Sequence, residues 1–477
     1  MRGLAVATLT GALLAGCAVG PNHRRPIIPV PDAHRGALEH AEAESLADLK
    51  WWEVFGDPAL QRLVDDALRQ NLDLEAAVAR VEQARNFVTV ARSDVFPQIG
   101  YAGEASRQRA GGVTFNSFTG LFNLAWELDV WGRIRRATEA ARADYLGSID
   151  AQRGVMLSLV SAVAQAYFEL LELDAELEIA KRTTEAFDDT LHLFTRRFEG
   201  GVGSRLEVMR AEAARADSAA AIPEIERLIV LKENQIAVLL GRTPGPITRG
   251  AALDAQTMPP VTPPGLPSQL LERRPDVLQA EQAVVAANAT VGVTVANFFP
   301  RIGLTSFYGE QSDEIENLVK GGGSIWAIAG QATGPIFQGG RLLGGYRAAR
   351  AAWEEAIALY ERTALDAFRE VSDTLTTQVQ LVDVREERER QVDSLTRAVD
   401  LAQVRYDSGL AYYFEVIDAQ QELFPAELLL ARTRRDQLIA TVVLYRALGG
   451  GWSLPTDVWT TPEAGAEPAA PATLPAP

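Results

Sequence analysis

The sequence predicts a mainly α-helical protein with a small amount of membrane β-structure, in which one helix–strand–strand–long helix–helix unit occurs twice. Three observations predict this fold class. The chain contains an internal repeat, each copy has a run of 68 residues without proline, and segments of strand-like alternation precede these runs. Repeats of this kind indicate one structural unit written more than once.

The repeat is visible in three pairs of segments. "NLDLEAAVARVEQARNFVTVARSDVFPQIG" (71–100) matches "RPDVLQAEQAVVAANATVGVTVANFFPRIG" (274–303), which aligns Phe96-Pro97 with Phe299-Pro300 at an offset of 203. "WGRIRRATEAARADY" and "RRFEGGVGSRLEVMRAEAA" match "GGRLLGGYRAARAAW" and "VRYDSGLAYYFEVIDAQQE" at an offset of 208. The five extra residues of the second copy are therefore expected in a loop between its proline and its Gly-Arg.

Each copy is predicted to begin with a helix, about Asp57 to Asp94 in the first copy, that ends at Phe-Pro. Proline lacks an amide donor and favours extended geometry in the residue before it. The helix has one apolar stripe at helical spacing, made by Leu60, Leu63, Val64, Ala67 and Leu68.

Beyond the proline the apolar period changes to two, which predicts strands. Phe122, Leu124, Trp126, Leu128 and Val130 alternate with Asn123, Ala125, Glu127 and Asp129. This is typical of a membrane strand with lipid on one face and water on the other. The other strands are expected near Gln98–Arg107, Arg301–Tyr308 and Ile325–Phe337, which gives hairpins at about 97–130 and 300–337. A single strand of this kind could also belong to a soluble sheet, but its occurrence in two copies favours the membrane.

Four strands cannot close a barrel, and open edges in lipid leave backbone groups without partners. The chain must oligomerise or keep its strands out of membranes. Two copies would supply eight strands and three would supply twelve, and composition does not choose between them.

The two runs without proline, Arg133 to Gly200 and Arg341 to Ser408, predict long helices. At 1.5 Å per residue each would reach roughly 100 Å. They end at the turns "EGGVGS" and "DSGLAY", and shorter helices return to near Leu240 and Leu448. The predicted organisation is a first repeat at 57–240, a linker at 241–266 and a second repeat at 267–448. No run of eighteen apolar residues follows residue 17, so no transmembrane helix is predicted.

The N-terminus predicts a lipid anchor. Met1-Arg2 and the apolar "GLAVATLTGALL" have the character of a secretory signal. Leu14 to Cys17 resemble the lipobox of bacterial lipoproteins, in which the signal, here 1–16, is removed and the cysteine is acylated. Ala18, where an aspartate would favour the inner membrane, implies outer-membrane sorting by the same resemblance. An ordinary signal peptide with a chance cysteine is the alternative.

Composition argues against several functions. A net charge of −17, or −18 once residues 1–16 are removed, argues against a nucleic-acid partner. A single cysteine excludes a disulfide within the chain, and the four histidines lack metal-ligand spacing. We find no catalytic triad, phosphate loop or metal cluster in the sequence, and predict no cofactor and no enzyme activity.

The chain resembles the TolC-like outer membrane factors, in the lipoprotein (NodT-like) branch that serves resistance–nodulation–division efflux systems. The segments that carry the resemblance are the lipobox with "CAVGPNHRRP", then "WWEVFGDPALQRLVDDALRQNLDLEAAVARVEQAR", "GLPSQLLERRPDVLQAEQ" and the duplicated Phe-Pro and Gly-Arg junctions. The resemblance implies a homotrimer that forms a 12-stranded β-barrel in the outer membrane of a Gram-negative bacterium. It also implies a 12-helix α-barrel tunnel in the periplasm, with segments 17–56 and 241–266 in an equatorial belt. A disordered tail is expected within 449–477.

The function that the resemblance implies is a passive exit duct for small toxic compounds or drugs. An inner-membrane transporter would supply energy and a periplasmic adaptor would hold the helical tips. A type I protein secretion channel, or a lipid-anchored periplasmic scaffold without a pore, is the alternative. The lipobox and "LLERRPDV" favour efflux.

The resemblance also implies a tunnel entrance at the helical tips. The glycine turns match at Gly201 and Gly409. The acidic lining falls on Glu207, Glu415 and Asp418, with Glu422 further along, and Tyr406 matches a tyrosine that bonds across helices. Adaptor contacts are expected at Gly201, Val202, Gly203, Gly409 and Leu410. Some relatives have an arginine latch where this chain has Ala411, so the latch does not transfer, and a solvated charged surface is the alternative for any one carboxylate.

Overall fold

The computed structural model describes residues 18–35, 56–257, 267–321 and 323–450. Cys17, the predicted signal peptide and the C-terminal residues from 451 on lie outside the described residues, as does most of segment 17–56. The described chain forms two compact units. The first comprises residues up to Ile28, Ala77–Gln152 and Asp276–Ala364, and the second comprises Pro29–Ala76, Arg153–Pro275 and residues from Leu365 on. Each unit contains parts of both sequence repeats.

The first repeat contains helices α1 (Pro58–Gln70), α2 (Leu72–Ser93), α3 (Arg133–Glu199) and α4 (Arg205–Leu239). The prediction of one continuous helix from Asp57 to Asp94 is wrong, because Asn71 has extended backbone angles between α1 and α2. The Asn71 side chain caps the new helix by accepting a hydrogen bond from the Leu74 amide at 2.9 Å. Asparagine suits such a cap, since its oxygen satisfies an amide that lacks a helical partner.

The second repeat contains α5 (Pro267–Arg273), α6 (Pro275–Ala296), α8 (Arg341–Asp407) and α9 (Phe414–Ala447), and the short α7 (Ile315–Lys320) lies between its strands. The long helices α3 and α8 each have 67 residues, and both their starts and their ends are 208 positions apart. The break between α5 and α6 at Arg274 corresponds to Asn71 at the offset of 203. The repeat in the sequence is therefore also a repeat in the structure.

Both repeats have the same joint, a contact between the residue that separates the first two helices and the C-terminal end of the last helix, α4 or α9. Asn71 Nδ2 donates to the Leu239 carbonyl at 2.9 Å, and Arg274 Nη1 donates to the equivalent Ala447 carbonyl at 2.8 Å. Gly241 follows α4 with a φ of +68°, and a Cβ there would lie 2.1 Å from the Gln70 carbonyl oxygen. Only glycine fits such a backbone at such a close approach.

The sheet has four antiparallel strands in the order β1 (Gln98–Ala110), β2 (Val113–Leu128), β3 (Arg301–Ser312) and β4 (Ser324–Thr333). All four predicted strands are present. The second strand ends at Leu128 rather than Val130, because Asp129 turns to cap α3 by accepting from the Ile134 and Arg135 amides. The fourth strand ends at Thr333, well before Phe337. The β1–β2 turn is Gly111-Gly112, whereas the β3–β4 connection includes α7.

The second unit contains a buried polar network around Asp57. The Tyr167 hydroxyl donates to Asp57 Oδ2 at 2.7 Å and accepts from the Gly250 amide at 2.9 Å. Gln256 Nε2 also donates to Asp57 Oδ2, at 2.8 Å. Burial alone would raise the pKa of Asp57, but the hydrogen bonds from Tyr167, Gln256 and the helix amides outweigh it and lower the pKa.

Among the described helices, one contains a stretch long and apolar enough to cross a membrane by length and composition. This helix is α3, and 67% of that stretch is buried inside the molecule. The core helix of a soluble protein passes the same test, so the stretch is weak evidence for a transmembrane helix. Polar residues interrupt this stretch, so α3 has no run of eighteen consecutive apolar residues.

Candidate functional site

The strand register places one aromatic side chain from each strand in a single row. Tyr101 is paired with Phe122, Phe122 with Tyr308 and Tyr308 with Trp326. Directly paired residues of antiparallel strands point to the same face of a sheet. All four side chains are exposed on the single chain, by 61% to 86%. A row of exposed aromatic side chains on one face of a sheet suits contact with lipid.

The face that carries the aromatic row is largely apolar, and the opposite face is mostly polar. Residues on the aromatic face include Ile99, Phe118, Leu124, Trp126, Leu128, Ile302, Leu304 and Ile328. Residues on the opposite face include Gln98, Glu104, Thr119, Asn123, Glu127, Thr305, Gln311 and Gln331. The sheet can therefore form a wall between lipid and water, as the alternation in the sequence predicts.

The two helical tips end in the same hydrogen-bonded turn. At the first tip the amides of Gly201 and Val202 donate to the Phe198 and Arg197 carbonyls at 3.0 and 2.9 Å. At the second tip, Gly409 and Leu410 repeat both bonds to the carbonyls of Tyr406 and Arg405, at 2.9 and 2.8 Å. Gly201 and Gly409 have φ values of +74° and +71°, the left-handed geometry that this helix ending requires.

A hydrophobic cluster packs the four tip helices together. Its buried members are Phe187, Phe194, Ala211, Ala214, Ala402, Tyr413, Val416 and Ile417. Tyr413, in the second repeat, links the two repeats of the chain. Its hydroxyl is 2.8 Å from the Thr190 hydroxyl, and its ring meets the Phe194 ring edge-on at 4.9 Å. Burial raises the pKa of the Tyr413 hydroxyl, so this group stays neutral at physiological pH.

Tyr406 also joins the two repeats of the chain. Its hydroxyl accepts a hydrogen bond from the Arg197 guanidinium on α3. Its ring lies 4.7 Å from the Tyr413 ring at an interplanar angle of 83°. Tyr406 therefore bonds to Arg197, a residue that sequence reasoning did not single out, and a role of this bond at the entrance stays a prediction.

The expected acidic residues lie at the tips in three different settings. Glu207 forms a capping box at the start of α4, where its Oε2 accepts from the Ser204 amide at 2.8 Å. Glu415 accepts from Arg405 Nε at 3.2 Å in a half-exposed pair. Asp418 and Glu422 are exposed on α9. The capping box alone accounts for a glutamate at position 207.

Sequence reasoning also missed Arg405, although it directly precedes Tyr406. Its partner Glu415 is ten residues further on, beyond the turn. The periodicity of a helix relates residues three or four apart, so it carries no signal for a pair that closes across a turn.

Large apolar side chains are exposed around both tips. Val202 and Leu410 are each 73% exposed. Other exposed apolar residues there are Phe198, Leu206, Met209, Tyr412 and Phe414. The Arg210 guanidinium lies 4.9 Å from the centre of the Phe414 ring. Clustered exposed apolar groups of this kind often mark a surface for a protein partner.

A family model described as outer membrane efflux protein matches residues 63–242 and 266–450. The chain belongs to this family. The antibiotic efflux pump outer membrane protein ArpC of Pseudomonas putida is 33% identical over 458 residues, which cover 93% of this chain and 94% of ArpC. The outer membrane protein OprJ of Pseudomonas aeruginosa is 33% identical over 461 residues, 94% of this chain and 95% of OprJ.

Solved structures of outer-membrane channels have the same fold as this efflux family chain. The open state of the MtrE outer membrane channel from Neisseria gonorrhoeae matches with a TM-score of 0.83 at 29% identity, covering 91% of this chain and 99% of MtrE. The outer-membrane channel OprN matches with a TM-score of 0.84 at 28% identity, covering 92% of this chain and 100% of OprN. The predicted family, fold class and outer-membrane localisation are confirmed.

Proposed function

We propose that this chain is the outer-membrane exit duct of a tripartite efflux pump that conducts small toxic compounds or drugs to the exterior. The observation that carries the proposal is the two-faced sheet in a chain of the outer membrane efflux family. One face presents an aromatic row and apolar side chains suited to lipid, and the other presents polar side chains suited to a water-filled lumen.

Three copies would resolve the open edges of the sheet. β1 and β4 are the edge strands, and each has backbone groups that the other strands do not satisfy. Joining β1 of one copy to β4 of the next gives a barrel of twelve strands in a homotrimer, an even number suited to a membrane. The described helices that adjoin the strands all lie at one end of the sheet, where β1 and β3 begin and β2 and β4 end. The opposite end, with the β1–β2 and β3–β4 connections, would face the exterior.

The tips are proposed as the entrance of the tunnel. Among the expected carboxylates, Asp418 and Glu422 are exposed and have no ion-pair partner within the described residues, and Asp418 lies nearer the tip, so it is the best candidate to face the pore axis at the entrance. Glu415 would join it once Arg405 is displaced. Threefold symmetry would gather six such carboxylates around the axis, an arrangement that attracts cations.

Two external partners are proposed for the periplasmic part of the duct. The exposed apolar groups around Val202 and Leu410 suit a periplasmic adaptor protein, which would connect the tips to an inner-membrane resistance–nodulation–division transporter.

Cys17 is proposed as the acylated residue that tethers the N-terminus to outer-membrane lipid. Several acyl chains would anchor the protein durably, at about 0.8 kcal/mol for each buried CH₂.

Planar bilayer recordings test the duct and its entrance together. The parent should show small cation-selective openings, and an E415Q/D418N variant should keep the openings while its cation selectivity falls severalfold. The control is E386Q/D393N, which makes the same changes on exposed residues of α8 that lie away from the tips. Unchanged selectivity in E415Q/D418N would remove these residues from the entrance, and a folded trimer that never conducts, even with the tip variant Y406F, would contradict the duct.

A further inference from the structure

We propose that Arg107 and Arg109, on the lipid-facing side of β1, bind the phosphates of glycolipid headgroups in the outer leaflet of the membrane. This inference rests on the proposed function, because it requires the sheet to form part of a barrel in the outer membrane. It adds a lipid-binding surface at the external end of the strands.

The register gives the height of the two arginines relative to the apolar band. The band on this face runs along β2 from Leu128 to Phe118. Ten residues at about 3.3 Å each, tilted by about 40°, span roughly 25 Å along the membrane normal, the usual height of the apolar band of a membrane barrel. Phe118 therefore lies at its outer boundary.

An aromatic pair lies just beyond the other boundary of the band. The Trp131 and Phe299 rings stack at 4.7 Å, and Trp131 Nε1 donates to the Pro300 carbonyl at 2.8 Å. Tryptophan with a satisfied N–H is common at the membrane–water interface. The apolar band thus has an aromatic group at its helix-linked end and cannot extend much further in that direction.

Arg107 and Arg109 occupy the next two positions beyond Phe118 on the same face. Ala105 pairs with Phe118, Arg107 with Asn116 and Arg109 with Thr114. Each step of two residues adds roughly 5 Å along the normal at this tilt. The two guanidinium groups therefore lie in the headgroup layer, just outside the acyl chains.

Neither arginine is neutralised by the described part of the chain. Both are exposed, and their cross-strand neighbours Asn116 and Thr114 are uncharged. The other charged strand residue on this face is Glu310, which pairs with Gly120 just inside the boundary at Phe118 and whose Oε2 accepts from the Gly323 amide at 3.1 Å. Within one copy, the acidic residues of the β3–β4 connection are separated from β1 by the width of β2. In the proposed trimer the connection of the next copy lies beside β1, where Glu316 already pairs with Lys320 at 3.4 Å.

The chemistry of the pair fits a phosphorylated lipid. A guanidinium presents a planar fork of donors that matches two phosphate oxygens, and two arginines two residues apart on a strand are about 7 Å apart. A glycolipid with two phosphates can bring acyl chains to the apolar band below while its headgroup meets the arginines. A free phosphate ion would contact the arginines but not the apolar band, whereas a membrane lipid would contact both. The surface therefore favours a membrane lipid.

The test measures binding of deep-rough lipopolysaccharide to the full-length trimer in detergent by native mass spectrometry. R107Q/R109Q should bind about tenfold or more weakly than the parent, since each arginine near an anionic lipid surface contributes substantially to binding. R107K/R109K should fall between the two, because it keeps the charge and loses the fork. The matched control R301Q/R347Q, with the same charge change on exposed arginines elsewhere in the chain, should bind like the parent.

Equal binding by the parent and R107Q/R109Q would overturn the inference, as would equally tight binding of a glycolipid without phosphate. Competition by inorganic phosphate alone at comparable concentration would also overturn it and indicate a site for the free ion. Trimer mass and bilayer conductance of each variant separate this inference from the proposed function. A parent that forms no channel contradicts the function, whereas normal channels with unaltered lipid binding contradict the arginine surface alone.

Discussion

At the scale of single residues, the Tyr167 hydroxyl is predicted to stabilise the second unit. Its removal in Y167F leaves the Gly250 amide and the buried Asp57 carboxylate each without one hydrogen bond. An unsatisfied buried group costs about 1–3 kcal/mol, so the free energy of unfolding should fall by about that amount. The measurement is denaturant unfolding, and Y412F, at a hydroxyl on an 84% exposed residue, should have no effect.

A second residue-scale feature is a pair of buried carboxyl groups on α3. Glu172 and Glu176 are hydrogen-bonded to each other, and each side chain is only 5% exposed. Arg435 Nη1 is 3.2 Å from Glu172 Oε2, and Arg432 Nε is 2.7 Å from Glu176 Oε1. Burial and the negative charge of Glu176 raise the pKa of Glu172 to about 7 despite the two arginines.

This pair predicts a pH dependence of stability. The folded state holds a proton that the unfolded state releases near the ordinary glutamate pKa, so stability is greatest below that value and falls as pH rises toward about 7. The melting temperature of the parent should therefore be lower at about pH 8 than at about pH 5.5, and E172Q should reduce this difference. E178Q is the control on the same helix; the same pH slope in E172Q and the parent would contradict the assignment.

At the scale of elements, the repeated joint between α1 and α4 predicts a strong effect of one methyl group. G241A places a Cβ 2.1 Å from the Gln70 carbonyl oxygen at a φ of +68°, so α4 must separate from α1. The loss in the free energy of unfolding should reach about 1–3 kcal/mol or more. G344A in α8, where a Cβ meets nothing within 4 Å, should instead stabilise slightly. Equal effects of the two substitutions in thermal unfolding would contradict this account of the joint.

The tip helices give a prediction about opening. Y406F removes the hydroxyl that accepts from Arg197 but keeps the ring that packs edge-on against Tyr413. If this bond helps hold the entrance in its resting form, Y406F should open severalfold more often in bilayer recordings, at about 1 kcal/mol for one hydrogen bond. Y412F is the matched control, and an opening frequency like that of the parent would show that the bond does not restrain the entrance.

Periodicity predicts well those strands and helices whose side chains are sorted along the element itself, without contacts to distant residues. The alternation around Trp126 predicts a strand, and the two runs without proline predict long helices, all close to the observed bounds. The break at Asn71 was missed, because α1 and α2 are both regular in sequence and the cap depends on Leu239, which is 168 residues away. The contacts of Tyr406 and Glu415 were missed for the same reason, since Arg197 and Arg405 can be identified only when the tips are brought together.

At the scale of the whole molecule, the central claim is that three chains close one barrel across the outer membrane. Four strands with free edges at β1 and β4 cannot close alone, and a stable membrane wall has no open edge. In the closed barrel one face of this sheet would meet lipid and the other the water-filled lumen. The proposed lipid-facing row and tunnel both depend on this closure.

The intact mass of the complex, extracted from the outer membrane in mild detergent and measured by native mass spectrometry, tests the claim most directly. The account predicts one species with the mass of three processed chains, each carrying the acyl groups expected at Cys17. A single chain that remains folded in detergent, or a stable complex of two chains, would contradict the twelve-stranded barrel.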